Sequence, residues 1–244
     1  MPFLIVSDIH ANREALDAVV ADAAGRYDQI LCLGDVVGYG AEPNYTVDWV
    51  RSHAAAAIRG NHDRMCADHE PLEDYNPAAQ RSTQWTRTAL TPESIDYLRG
   101  LARGPLRTHG FDLVHGSPLD EDEYLIHPGD VAPQRAALDS RVTFFGHTHV
   151  QGGFLIARGG ARRLFPGWSE DNFLVIEPDH HYLLNPGSVG QPRDMDPRAS
   201  YAIYSPEERT VEFRRARYDI TGAASKILDA GLPPVLAARL YDGT

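Results

Sequence analysis

Residues 2–8 read PFLIVSD, an unbroken apolar run that stops at Ser7 and Asp8. A strand wetted on one face alternates apolar with polar; a continuous run of this length is expected of a strand covered on both faces. The next segment, ANREALDAVVADAAG (11–25), spaces Ala15, Leu16, Val19 and Val20 at helical intervals, and Gly25 is a plausible stop. DQILCLGD (28–35) repeats the buried-strand form and ends in a Gly34-Asp35 turn. TVDWVRSHA (46–54) reads as a helix, and AAIRGNHD (56–63) as a third strand and a loop. This β-α alternation predicts an α/β fold with a parallel or mixed sheet and covering helices.

Residues 66–104 are polar and helical in propensity, broken by Pro71, Pro77 and Pro92, and are expected to form a helical excursion beside the main sheet. FDLVHGSP (111–118) and RVTFFGHTH (141–149) return to the strand-then-loop form. Beyond 152, the segments GGFLIA, RRLF, NFLVIEP, HYLLNPGSV, ASYAIYSP and TVEFRRARYD predict strands with tight turns, in a second and more antiparallel sheet. The basic run RRAR (214–217) is expected on the exposed face of an edge strand. The tail is helical around Pro233-Pro234. A single domain over 1–244 is expected.

The 244 residues are 43% hydrophobic, enough for a sizeable core, and carry a formal net charge of −11. That charge argues against an extended nucleic-acid surface, which needs clustered Lys and Arg. An anionic small molecule remains compatible if bound cations reverse the sign locally. Cys32 and Cys66 are the only cysteines and form no CxxC, which fits a reducing compartment and excludes a thiolate metal site. The opening MPFLIVSDIH lacks a basic n-region and reads as a core strand. No apolar run is long enough to span a bilayer. A cytoplasmic protein without membrane contact is expected.

Polar residues recur at the carboxyl ends of the predicted strands: Asp8 and His10, then Asp35, then Asn61, His62 and Asp63, then His115, then His147 and His149. Loops at that edge of an α/β sheet gather where ligands bind. In FFGHTHVQ (144–151), period-2 geometry sends His147 and His149 the same way, and Gly146 lets another group approach the backbone. Each residue also has a plainer reading. Asp8 or Asn12 could cap the following helix, Asp35 could be a turn residue, and His115 could be a core histidine. A ligand set of carboxylates, imidazoles and one carboxamide suits Mn²⁺, Fe, Zn²⁺ or Ni²⁺, with Mn²⁺ placed first. The number of ligands exceeds one tetrahedral site and fits two metals sharing a carboxylate.

The ordered set DIH, GDVVGYG, GNHD, VHGSP and GHTH resembles the calcineurin-like metallophosphoesterases. NPGSVGQPR (185–193) is similar to their bacterial and archaeal phosphodiesterase branch. The resemblance implies a four-layer sandwich, with helices outside two mixed sheets. It implies that Asp8, His10 and His149 bind one metal, that Asn61, His115 and His147 bind a second, and that Asp35 bridges them. It assigns His62 as general acid or phosphate-binding residue. Asp63, directly after it, is a candidate catalytic partner. Asn61, Arg193 and Arg13, one turn past the DIH loop, are candidate substrate contacts; for Arg193 a surface salt bridge is an equal reading. The protein serine/threonine phosphatases of this superfamily carry an Asp-Arg pair where this chain has Gly38 and Tyr39. The carboxylate that supports their catalytic His is therefore missing.

The chemistry expected is hydrolysis of a phosphodiester or nucleotide, in which two cations neutralise phosphate oxygens and activate a bridging hydroxide. Phosphomonoesters come second and phosphoproteins third. A catalytically inactive metal-binding scaffold for protein interaction is the alternative from another class. The surface strands would also allow a homo-oligomer.

Overall fold

The apolar run of residues 3–6 forms a strand whose four side chains are all fully buried. The computed structural model describes residues 1–73, 75–165 and 172–244. Among them the strands are β1 Phe3–Val6, β2 Gln29–Cys32, β3 Ala54–Ala57, β4 Leu106–Thr108, β5 Phe111–Leu113, β6 Val142–Phe144, β7 Gly152–Ala157, β8 Gly160–Leu164, β9 Phe173–Val175, β10 His181–Asn185, β11 Ala199–Ser205 and β12 Thr210–Ala216. The helices are α1 Arg13–Ala23, α2 Pro43–His53, α3 Asn61–Asp68, α4 Pro77–Ala89, α5 Pro92–Gly100, α6 Pro128–Val131, α7 Ile220–Asp229 and α8 Pro234–Asp242.

These strands make two six-stranded sheets, β3-β2-β1-β11-β12-β9 and β4-β5-β6-β10-β7-β8. Both are mixed. β1 runs parallel to β2 and antiparallel to β11, and β10 runs parallel to β6 and antiparallel to β7. The sheets face each other across one core, where Phe3, Ile5 and Leu31 of the first meet Phe111, Phe144 and Leu184 of the second. Burying each such side chain is worth about 1.5–3 kcal/mol. The alternate residues Leu4, Val6 and Cys32 point the other way, into a layer that contains Leu16, Val19, Val47 and Val50 of α1 and α2. This explains why PFLIV carries no polar alternation: both faces of β1 are dry.

The expected four layers are present, but the outermost layer on the second sheet is thin. Val114, Phe145, Phe154 and Leu183 are covered by Leu125, by Val131 of the one-turn helix α6 and by Leu138, just past a 3₁₀ turn at 132–137. The strands beyond 152 do not form a sheet of their own. β7, β8 and β10 extend the second sheet, while β9, β11 and β12 extend the first. Strand alternation alone carries no signal for that sorting. The expectation for RRAR also needs correction. β12 lies between β11 and β9, although β9 pairs only with its first three residues, and Arg214 and Arg215 are largely buried in ion pairs with Asp22 and Asp194, while Arg217 is exposed as expected.

Two boundaries differ from the sequence reading. α2 begins at Pro43, because proline's fixed φ suits the first helical turn. GNHD is not a loop: α3 starts at Asn61, so Asn61, His62 and Asp63 occupy its first turn. The excursion is helical as expected, but it belongs to the helical layer. Leu90 and Leu98 join the cluster of α1 and α2, and Ala79 packs with α7 and α8.

Candidate metal centre

The five candidate ligand loops leave strands of two different sheets, β1, β2 and β3 of one and β5 and β6 of the other. They meet because the stacked sheets present these ends on the same side. Cross-links hold the meeting point. The backbone N–H of His147 donates to both oxygens of Asp8, each at 3.2 Å. A Cβ on Gly146 would lie 2.0 Å from Ser7 Oγ, so only glycine allows this approach. Asn12 takes the N-cap of α1, accepting from Ala15 N at 3.1 Å, which leaves Asp8 free for another use.

Two groups of ligand-type atoms result. Asp8, His10, Asp35 and His149 form one; Asp35, His115 and His147 form the other; and within each the atoms lie within 4.8 Å of one another. His149 Nε2 is 3.3 Å from Asp8 Oδ1. Asn61 Oδ1 is 3.2 Å from His115 Nε2 and so borders the second group. All of these residues are buried.

The imidazoles are aimed by backbone carbonyls. His10, His115 and His149 donate from Nδ1 to Val37 O at 3.0 Å, Leu33 O at 2.8 Å and Gln191 O at 2.6 Å. In the neutral ring that tautomer leaves Nε2 with its lone pair facing inward; at His115 burial favours that neutral ring, but the Asp35 carboxylate at 3.4 Å raises the imidazole to about 10. His147 is turned the other way, with Nε2 on Asp122 O at 3.1 Å, so its Nδ1 faces the centre. Asp8, His10, Asp35, His147 and His149 all have positive φ, between 48° and 64°. Non-glycine residues rarely adopt that conformation, and it concentrates where surrounding structure over-determines a site.

Burial favours the neutral form of a histidine and of a carboxylate alike, and here it meets opposing charges. It drives His10 well below the usual imidazole range, and His147 down to about 3. Burial opposes ionisation of Asp35, but His115 and His62 overcome it and hold Asp35 well below the usual carboxylate range. Asp35 Oδ2 is buried without a hydrogen-bond partner among the described residues. An ionised, unpartnered oxygen between two nitrogen-rich groups is a fit for divalent transition metals.

His62 lies beside this centre, its ring 5.0 Å from that of His10 and 4.4 Å from that of Tyr39. Burial lowers it to about 4. Its Nδ1 is buried without a hydrogen-bond partner among the described residues, and it faces Gly38, where a Cβ would come within 2.6 Å. A side chain at position 38 would therefore crowd the His62 ring. Asp63 does not orient that ring. Its Oδ1 accepts from Val36 N and Val37 N at 2.9 and 3.2 Å, and its Oδ2 accepts from Gly60 N at 3.0 Å. Arg193 joins the site: its guanidinium lies 5.6 Å from the Tyr39 ring centre, and its backbone N–H donates to His149 O at 3.1 Å. Arg13 does not. It is half-exposed, paired with Asp17 and Glu42 and stacked on Tyr45.

Asn185 supports the site from outside the ligand set. Its Nδ2 donates to Gly146 O at 2.8 Å and Thr148 Oγ1 at 3.0 Å, so it braces the loop carrying both histidines. Ser188 Oγ similarly donates to Asp8 O at 2.8 Å. The only sequence signal for these braces is that NPGSVG follows an apolar strand, which does not name the loop they reach.

No helix among the described residues is long and apolar enough to cross a membrane. The chain is 34% identical over 247 residues to an uncharacterized protein of Methanocaldococcus jannaschii, covering 98% of this chain and 97% of that one. Its structure is similar to that of a metallophosphoesterase from Sphaerobacter thermophilus, with a TM-score of 0.87, 38% identity, and coverage of 100% and 99% of the two chains. It shares the fold of a hypothetical protein from Pyrococcus horikoshii at a TM-score of 0.78 and 18% identity, covering 100% and 98%. The family model described as the calcineurin-like phosphoesterase superfamily domain matches residues 1–209, and with the buried Asp/His centre at the meeting point of its two sheets, the chain belongs to that superfamily.

Proposed function

We propose that the protein is a dinuclear metal-dependent phosphoesterase, with phosphodiesters or nucleotides as its first substrate class. The observation that carries this reading is Asp35, whose unpartnered Oδ2 is shared by the two ligand groups. Asp8, His10, Asp35 and His149 would hold one ion; Asp35, Asn61, His115 and His147 the other. When bound, such ions supply positive charge for phosphate oxygens and lower the pKa of water.

The remaining work falls to the chain. Asn61 and His62 sit at the N-terminus of α3, and Arg193 brings a fixed positive charge to the same side. Together they would hold the non-bridging phosphate oxygens and orient the ester. A neutral His62 can still donate a hydrogen bond to the leaving oxygen. Gly38 and Tyr39 replace the acid-arginine pair of the phosphoprotein phosphatases, which puts such substrates last. Two buried free cysteines fit a reducing cytoplasm.

The purified protein with added Mn²⁺ should hydrolyse bis-p-nitrophenyl phosphate, and chelation should abolish turnover. Bound metal without turnover on any ester, in any of Mn²⁺, Fe²⁺, Zn²⁺ or Ni²⁺, would favour the inactive scaffold.

A further inference from the structure

Beside the candidate centre the surface falls into a recess of about 210 Å³. Its walls are mainly apolar, with Leu125, Ile126, Val150 and Phe154 among them and Thr148 and Gln151 as uncharged polar members. Tyr124 and Arg193 line it as well, and both also belong to the centre. The Tyr124 ring lies 4.0 Å from that of His147, and Arg193 lies against Tyr39. The recess therefore borders the centre through these two side chains.

We infer that this recess is a subsite for an aromatic group, a nucleobase or aryl ring, carried on the phosphoester, with Arg193 gripping the phosphate at its mouth. The inference rests on the phosphoesterase reading and names the substrate feature it selects. The size argues for one ring system, since pockets that enclose larger ligands run from about 300 to 1,000 Å³. The chemistry argues for a flat apolar group. Tyr124 offers a ring face or edge, and the walls offer no charge except the arginines at the rim, Arg193 and Arg163.

The test uses phenylphosphonate and methylphosphonate, whose carbon–phosphorus bonds a phosphoesterase does not cleave. Both are titrated calorimetrically into the Mn²⁺-loaded protein. Phenylphosphonate should bind roughly tenfold tighter, the worth of partly burying one aromatic ring. Val150→Trp, which fills the recess, and Ile126→Ser, which removes an apolar wall at a half-exposed position, should each bring the ratio of the two constants toward one. Equal affinities in the wild-type protein, or a ratio unmoved by both substitutions, would overturn the subsite. If Val150→Trp does not fold, Ile126→Ser decides alone. Turnover of bis-p-nitrophenyl phosphate is read separately. A tenfold ratio without turnover of any ester in any of the four metals supports the recess and sinks the hydrolase reading. Turnover without the ratio sinks the recess and spares the hydrolase.

Discussion

The backbone N–H of His62 donates to Oδ1 of Asp35 at 2.8 Å. That bond occupies one carboxylate oxygen and leaves Oδ2, which stands 3.6 Å from His10 Nε2 and 3.4 Å from His115 Nε2. A single oxygen thus faces both ligand groups. Asp35→Asn removes its charge while keeping its shape, and elemental analysis should then show both metal occupancies falling. Loss of only one metal would mean that Asp35 does not bridge.

His62 contributes its backbone to Asp35 and its ring to the space beside His10. His62→Ala should therefore keep both metals and slow turnover by about 10²–10⁴-fold, the usual range for a positioned proton donor. The deficit should narrow for esters with a good leaving group, which hardly need a proton. A deficit that stays constant across leaving groups would assign His62 to phosphate binding alone.

Gly38→Asp would restore the carboxylate found in the phosphoprotein phosphatases, yet it should fail to improve His62. Gly38 has φ +89°, and a Cβ there would meet His62 Nδ1 at 2.6 Å. Strain and displacement of the ring together should cost about 1–3 kcal/mol. Thermal melts should show the loss, and turnover should fall with it. A stable, faster variant would contradict this packing.

The sequence exposed what repeats along one strand: a dry apolar run, then a cluster of ligand-type side chains. PFLIVSDIH and ILCLGD are legible because β1 and β2 are covered on both faces and their polar residues come at once afterwards. GNHD was harder. Its residues are sound ligand types, but Asp63 works by holding the amides of Val36, Val37 and Gly60, contacts that no local pattern encodes. The sorting of β9 and β10 into different sheets was also hidden, because FLV and HYLLN carry the same alternation signal whichever partner they meet. Arg193 and Arg13 look alike as isolated basic residues near motifs. Only the fold shows that one borders the centre and the other pairs with Asp17 on the outside of α1.

Glu121 joins the loop after β5 to α3. It accepts two bonds from Arg59, at 3.2 and 3.0 Å, and a third from Arg64, in a largely buried setting. The next residue, Asp122, gives the carbonyl that aims His147. Burial works against the Glu121 charge, but Arg59 and Arg64 hold its carboxyl below the usual range. A carboxyl lowered on folding contributes stability above its unfolded value of about 4.3 and loses it as pH falls through the folded value. Glu121→Gln should thus cost about 1.5–3 kcal/mol at neutral pH, and the gap to the wild-type protein should close as denaturant melts are repeated at pH values falling below the unfolded value. Because His147 belongs to the second ligand group only, the same substitution should weaken the second metal by about tenfold or more and spare the first. Calorimetric metal titration resolves the two. If both metals weaken equally, the loop does not act through His147, and if the stability gap persists at low pH, the charge of Glu121 is not what the two arginines hold.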